Sequence, residues 1–202
     1  MAFLIKDVEQ NGTFSAYVES SFEEGKSQLY SEGYHIISAE ENAQLRILVE
    51  RNAGISTRGN WISEAIILIK GKGKFITKNS PILTLKDLSD LGRGTSLVLR
   101  EEQLETALRG SIKISDSQFS IPSKRFGEDE LTNYLFGNLA KEYGLFLKDA
   151  KIKNMPINSA DFRDKPFARQ LWFDCLNEQS GIVGEGGYAG GFVRGIKTLD
   201  AI

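Results

Sequence analysis

The sequence holds one histidine, His35, and one cysteine, Cys175, so catalysis by a histidine base or a thiolate would depend on these two residues. A Ser-His-Asp triad needs a histidine to take the proton of its nucleophile. His35 lies between Tyr34 and Ile36 in a strand-like stretch, which is typical of a sheet residue with one hydrogen bond. Cys175 follows an apolar run, and apolar surroundings keep a thiol inert. The sequence therefore predicts no catalytic residue and favours a chain that is not an enzyme.

Carboxylates offer a second chemistry, because Mg²⁺ prefers oxygen ligands. Metal-dependent nucleases use an acid two residues before a lysine, and Asp149 precedes Lys151 in this way. Asp129 or Glu130 could add a further oxygen, so a carboxylate-based, Mg²⁺-dependent phosphodiesterase or other hydrolase stays open as an alternative. With 27 acids in 202 residues, however, such a spacing also arises by chance. A single cysteine excludes a cysteine-based zinc site, and we expect neither a metal nor a cofactor.

A glycine-rich stretch, Gly-Glu-Gly-Gly-Tyr-Ala at 184–189, matches the dinucleotide-binding pattern G-x-G-x-x-A. That pattern binds a pyrophosphate only where it opens a helix inside a β-α-β unit, with an acid about 20 residues further on. Only 13 residues follow Ala189, and Gly190, Gly191 and Gly195 are among them. The stretch therefore predicts a turn or a bulged strand.

The charge is unevenly distributed along the chain, although the net charge is only −2. Residues 1–50 carry a net charge of −6, and residues 51–78 carry +5. The basic segment has the pattern of a β-hairpin with lysines at its tip, and such a hairpin can bind phosphates while an aromatic residue stacks on a base. The predicted nucleic-acid-binding residues are Arg51, Arg58, Trp61, Lys70, Lys72 and Lys74. Lysines at a hairpin tip also protect a sheet edge from aggregation, which explains the same pattern without a ligand.

These observations predict a non-enzymatic nucleic-acid-binding module that uses a basic β-hairpin. The first alternative is a protein–protein interaction or structural subunit, in which the acidic and basic segments form complementary faces within the chain or in self-association. The hydrolase is the second alternative. The N-terminal apolar run is too short for a signal peptide and no stretch approaches the ~20 apolar residues of a membrane helix, so we expect a cytoplasmic protein with no membrane partner.

The elements that would position these residues alternate without a regular β-α-β period. Asn11-Gly12 and the glycines around residue 72 predict two hairpins, and Ser38 with Glu41 has the spacing of a capping box. Residues 128–143 predict a helix that ends at Gly144, whereas 167–176 fits either a helix or a strand. The fold class predicted is α+β, with a mixed, mostly antiparallel sheet and three or more helices.

The stretch 117–127 is rich in Ser, Pro, Lys, Arg and Gly, and it is the best candidate for a domain boundary. It would divide the chain into an N-terminal α+β domain, residues 1–116, and a smaller C-terminal α+β region, residues 128–202. One continuous domain remains the alternative.

Overall fold

The chain adopts an α+β fold in the computed structural model, which describes residues 3–10, 12–49, 51, 53–85, 91, 95–177, 180–184 and 191–198. The strands are β1 Leu4–Gln10, β2 Thr13–Ser20, β3 His35–Ile36, β4 Asn60–Ile69, β5 Gly73–Thr77, β6 Ser96–Val98, β7 Ile112–Ile114, β8 Phe119–Pro122, β9 Asn154–Ser159, β10 Phe167–Phe173, β11 Ile182–Gly184 and β12 Gly191–Thr198. The α-helices are α1 Phe22–Ser31, α2 Ala39–Leu48, α3 Gly54–Thr57, α4 Glu101–Leu108, α5 Glu130–Phe136 and α6 Ala140–Asp149. Two 3-10 turns, η1 Ser123–Arg125 and η2 Gly137–Leu139, flank α5.

Both predicted hairpins are confirmed. β1 and β2 pair antiparallel across a turn in which Gly12 has a φ of +74°, and β4 pairs with β5 across a turn that contains Gly71 at +79° and Gly73 at +118°. Residues other than glycine rarely adopt such angles, so the glycines fix where each hairpin turns.

Within the described residues, twelve strands join one mixed sheet, and its main path runs β1-β2-β12-β4-β10-β11-β9-β8. Most pairs are antiparallel, but β12 runs parallel to β4 and β11 runs parallel to β9. The short strands extend this path, because β3 pairs with β12, β6 with β10, and β5 with both β4 and β7. The predicted fold class, α+β with a mixed and mostly antiparallel sheet, is therefore confirmed.

The central strand β4 is buried on both faces of the sheet. Ile62, Ile66 and Leu68 pack into a core with helices α2, α5 and α6, whereas Trp61 and Ile67 pack with α1 on the other face. Because successive side chains of a strand point to opposite faces, a strand covered on both sides needs a nearly continuous apolar run. The run Ala-Ile-Ile-Leu-Ile at 65–69 meets that need.

The predicted capping box at the start of α2 is present, since the Ser38 hydroxyl accepts from the Glu41 N–H and the Glu41 carboxylate accepts from the Ser38 N–H. The single helix predicted over 128–143 is wrong. Gly137, with a φ of +53°, ends α5, and α6 then continues past Gly144 to Asp149. Gly144 lies inside α6, where the absence of a side chain lets the helix pack against the backbone of Ser123.

Strands from both sides of the predicted boundary at 117–127 hydrogen-bond one another. β12 pairs with β2, and β10 pairs with β4 and β6. The division into residues 1–116 and 128–202 stays a prediction. The stretch 167–176, for which the sequence fits either element, forms β10 over Phe167–Phe173. In the part of the chain that the structure describes, no helix is long and apolar enough to cross a membrane.

Candidate functional site

Four strand ends meet at one end of the sheet. Ser20 at the end of β2 pairs with Gly191 at the start of β12, and Phe192 pairs with Asn60 at the start of β4. Asn60 in turn pairs with Phe173 at the end of β10. Loops that join buried strands carry binding residues on a rigid base, and this end of the sheet has that arrangement.

A cleft of about 540 Å³ opens at these strand ends, and we call it the sheet-end cleft. Its lining residues are Glu19, Ser20, Thr57, Arg58, Gly59, Trp172, Gly191 and Phe192. Trp172 is only 6% exposed, and its indole nitrogen donates a hydrogen bond to the Asp174 carboxylate at 2.9 Å. The indole also meets Trp61 edge-on, with 5.3 Å between the ring centroids. This tryptophan is therefore a fixed wall of the cleft.

Arg58 is held against two aromatic rings at the cleft. Its guanidinium carbon lies 4.8 Å from the Phe192 ring centroid and 5.5 Å from that of Tyr17, and its Nη1 donates to the Tyr17 hydroxyl at 3.0 Å. Tyr17 and Phe192 meet edge-on at 5.5 Å. A guanidinium over aromatic faces is attracted to their π electrons. Arg58 remains exposed, so the cluster presents a positioned cation to solvent.

Two glycines let the backbone approach the Trp172 indole. A Cβ on Gly191 would lie 2.7 Å from indole Cζ3, and a Cβ on Gly59 would overlap the indole nitrogen.

We expect Gly59→Ala to lower the free energy of unfolding by about 2 kcal/mol, because overpacking forces a shift of the ring. Urea unfolding followed by tryptophan fluorescence measures this loss. Gly54→Ala, whose Cβ would make only an ordinary 3.4 Å contact, is the matched control and should change stability little; equal losses in both variants would contradict the expectation.

An ion pair between a buried arginine and a partly exposed aspartate supports the same strands from below Tyr17. The guanidinium of Arg194, on β12, lies 5.2 Å from the Tyr17 ring centroid, and its Nη1 donates to the Asp7 carboxylate and to the Ser15 hydroxyl, both at 2.7 Å. The Arg194 side chain is 2% exposed. The pairing of β1 with β2 shifts register between Lys6 and Val8, so Asp7 lies in a bulge. Bulges redirect side chains, and this one brings a carboxylate to the arginine.

A second cleft, of about 620 Å³, lies beside the start of α2 and includes His35, Ser38 and Glu41 in its lining. The His35 Nε2 lies 2.8 Å from the Glu41 carboxylate, and this hydrogen bond raises the pKa of His35. Burial raises the pKa of Glu41, but hydrogen bonds from His35 and Ser38 outweigh it and lower that pKa overall. His35 thus makes the one hydrogen bond expected of it, and the pair is partly exposed, with His35 more open to solvent than Glu41.

Glu64 is a buried carboxylate behind this cleft. It is 1% exposed on β4, and its two oxygens lie 3.1 and 3.0 Å from the Ala39 N–H in the first turn of α2. Loss of hydration on burial raises its pKa to about 7, although the Ala39 N–H and the Lys78 ammonium act in the opposite direction. Glu64 gives no signal of burial in the sequence, because it follows the polar residue Ser63 and nothing local shows that β4 is covered on both faces.

No protein-family model matches this chain, and no curated protein matches its sequence. A solved structure, described as showing how the C-type lectin fold accommodates massive sequence variation in Nanoarchaeota, superposes with a TM-score of 0.69 over 96% of this chain and 100% of the other. The fold of this chain matches the C-type lectin fold. Sequence identity is 18%, so the likeness concerns the fold alone.

The prediction of a nucleic-acid-binding module, with nucleic acid as partner, is wrong. The C-type lectin fold overturns it, and the contacts of the basic hairpin give the physical reason. Lys74 is 3% exposed and donates to the Ser159 hydroxyl at 2.8 Å. Trp61 is 2% exposed, in edge-on contact with Phe22 and Trp172, so no base can stack on it.

The remaining predicted site residues are scattered. Lys70 forms an exposed ion pair with Asp164 at 2.9 Å, and Lys72 is exposed at the hairpin turn. Arg51 lies near the Phe146 ring on α6. Of the six, only Arg58 and Trp61 are near the sheet-end cleft, the former lining it and the latter packed behind Trp172.

The hydrolase alternative is also wrong, because the fold matches the C-type lectin fold. Asp129 accepts from the Thr132 N–H as the cap of α5, and Asp149 ends α6. Within the described residues, no three His, Cys, Asp or Glu side chains are grouped to hold a metal ion. Cys175 is half-buried after β10, more open than its apolar neighbours indicated, and accepts from the Asn177 amide. In the stretch 184–189 that matches the dinucleotide pattern, Gly184 ends β11, and residues 185–190 lie outside the described part of the chain.

The sequence alone provides no indication of Trp172 and Phe192 as cleft residues, or of Tyr17 as the ring that holds Arg58. Each looks like ordinary core material in its strand. The local signals near this cleft are glycines beside strand ends, in Arg58-Gly59 and Gly191-Phe192, and they carry meaning only once the strand ends are known to meet.

Proposed function

We propose that this chain is a non-enzymatic binding module that recognises a protein partner through the sheet-end cleft. The observation that carries the proposal is Arg58, exposed yet held between Tyr17 and Phe192 at the cleft. Arginine, tyrosine and tryptophan are enriched among the residues that dominate protein–protein binding energy. A side chain that is already ordered loses less conformational entropy on binding, so this arginine is well prepared to anchor a partner.

The polar groups of the cleft suit a protein partner. One Arg58 nitrogen bonds the Tyr17 hydroxyl, and among the described residues no carboxylate lies within ion-pair distance of the guanidinium. Its other donors can therefore form a two-pronged pair with an Asp or Glu of a partner. Glu19 and Thr57 add an acceptor and a hydroxyl beside it.

A sugar ligand would need an open aromatic face for its ring, and the sheet-end cleft offers little of one. Trp172 is 6% exposed, with glycine backbone close to the indole, and Arg58 covers Phe192. The likeness to a fold described as accommodating massive sequence variation adds support of another kind. A scaffold that tolerates variation can change its surface while its core stays intact, which suits recognition of partners.

Arg58→Ala tests the proposal. Removing a dominant anchor costs at least about 2 kcal/mol of binding, so the dissociation constant should rise about 30-fold. The full chain, Arg58→Ala and Arg163→Ala are each used as bait with quantitative mass spectrometry, and the affinity of an enriched protein is then measured by calorimetry. Arg163 is the matched control, because it is also exposed and lies 4.5 Å from an aromatic centroid, that of Phe167, outside the cleft.

We expect some proteins to be enriched on the full chain and on Arg163→Ala but not on Arg58→Ala. Equal retention by all three would contradict the proposal. A glycan array probed in parallel decides the partner class, since Arg58-dependent glycan signal without any protein partner would replace a protein-binding module with a sugar-binding one.

Self-association and a cytoplasmic location, both expected from the sequence, stay predictions. Light scattering checks the first, and cell fractionation checks the second.

A further inference from the structure

Four lysines line one cleft on a different set of elements. This cleft, of about 730 Å³, is bordered by Lys124 on η1, Lys148 on α6, and Lys151 and Lys153 in the link from α6 to β9. We call it the lysine cleft. No acid is among its lining residues, and within the described chain no ion pair or side-chain hydrogen bond engages these four ammonium groups.

A buried frame fixes the positions from which the lysines extend. Ser123 is 4% exposed, its N–H donates to the Lys153 carbonyl at 2.9 Å, and its hydroxyl donates to the Ile152 carbonyl at 2.7 Å. Gly144 packs α6 directly against the backbone of Ser123. Thus Ser123 joins η1, α6 and the residues before β9, and the backbone positions of the four lysines around the cleft are fixed relative to one another.

The arrangement is unfavourable without a ligand. Like charges near one another repel, and none of the residues that line the cleft is acidic. Lys151 also has a φ of +63°, in the left-handed region that favours glycine or asparagine. The negative end of the α6 dipole offsets part of the repulsion for Lys148. The α6 dipole does not offset the repulsion at Lys124, which lies on η1, and it does not explain why a lysine occupies the left-handed position 151.

We propose that the lysine cleft binds a small ligand that carries several phosphate or sulfate groups. Ammonium groups form charge-assisted hydrogen bonds with such oxyanions. Four of them around one opening can neutralise more than one group, and the exposed Asn154 amide can donate as well. The ligand would remove the repulsion among the lysines, so its binding should stabilise the fold. The proposal is independent of the protein-binding sheet-end cleft.

Calorimetric titration of the full chain tests it with two probes, sodium tripolyphosphate and sucrose octasulfate, at fixed ionic strength. Sucrose and sodium chloride are the controls. Binding of tripolyphosphate alone assigns the cleft to phosphorylated ligands, and binding of the octasulfate alone assigns it to sulfated saccharides. Failure of both probes to bind would overturn the proposal.

A double variant locates the site. Lys124→Gln with Lys153→Gln leaves α6 untouched and should weaken binding at least tenfold, while Lys72→Gln with Lys165→Gln, two exposed lysines elsewhere, should leave the affinity unchanged. Equal weakening by both pairs would overturn the site, because it would show attraction to overall charge. Melting without a probe provides the second readout. Loss of the two cleft lysines should leave the midpoint unchanged or raise it, and a marked fall would show that they serve the fold instead.

Discussion

Replacing Glu64 by glutamine is expected to stabilise the protein at pH 8 by about 3 kcal/mol and to leave its stability at pH 4 nearly unchanged. The buried carboxylate has a pKa of about 7 in the folded chain, against an ordinary value of 4.5. Each unit of difference corresponds to about 1.4 kcal/mol between the two protonation states. Glutamine keeps an oxygen for the Ala39 N–H and carries no charge to bury.

The direction follows from proton linkage. The folded state holds the proton of Glu64 more tightly than the unfolded state does, so its contribution to stability is complete below pH 4.5. That contribution is lost as the pH rises from 4.5 through 7, because the unfolded state releases its proton while the folded state still holds it, and the loss is complete once the buried group ionises. Urea unfolding at pH 4, 6 and 8 should show a falling free energy of unfolding for the natural chain and a flatter profile for Glu64→Gln.

Glu23→Gln serves as the control for loss of one negative charge, since Glu23 is an exposed residue in the first turn of α1. Its profile should run parallel to that of the natural chain. If the Glu64→Gln profile also runs parallel, the pKa of Glu64 is the same in the folded and unfolded states, and a raised pKa is ruled out as the source of pH dependence.

Asp7→Ala is expected to lower the free energy of unfolding by about 3–5 kcal/mol, because it leaves the Arg194 guanidinium buried without its counter-charge. Arg194 would keep the Ser15 hydroxyl, a neutral partner that cannot balance the charge. The loss should weaken the β1–β2–β12 edge first, since all three strands supply members of this cluster. Chemical unfolding measures the total, and hydrogen exchange of the β12 amides locates it.

Glu9→Ala, an exposed acid two residues further along β1, is the matched control and should change stability by less than about 0.5 kcal/mol. A double variant, Asp7→Ala with Arg194→Met, separates charge from packing. Replacing a buried ion pair by apolar groups is often neutral, so the double variant should recover much of the loss. A double variant as unstable as Asp7→Ala would mean that packing around Asp7, and not the unpaired charge, causes the effect.

Local signals in the sequence predicted local structure well. Glycines near residues 11 and 72 marked both hairpins because positive φ angles are nearly exclusive to glycine. Ser38 and Glu41 marked the start of α2 because the two side chains satisfy each other's backbone N–H. These features depend on a few neighbouring residues, and so the α+β class could be predicted.

The candidate site depends on distant residues and could not be predicted in this way. Alternation along a strand shows that Lys70, Lys72 and Lys74 share a side, but not that β5 turns Lys74 inward to Ser159 on β9. Strand β4 is covered on both faces, so Trp61, which looked available to a base, is core. The sheet-end cleft needs β2, β4, β10 and β12 to meet, and a single sequence does not reveal that order.

The pairing of β12 with β2 has a consequence for biosynthesis. Thr198 lies opposite Thr13, and β12 also fills the position between β2 and β4, so the chain as far as β12 must leave the ribosome before the centre of the sheet can close. Until then β2 and β4 expose unpaired, largely apolar edges, a state that invites aggregation. High contact order also slows folding. Premature termination before residue 191 should therefore yield chains that chaperones retain and proteases clear, whatever the quality of the remaining core.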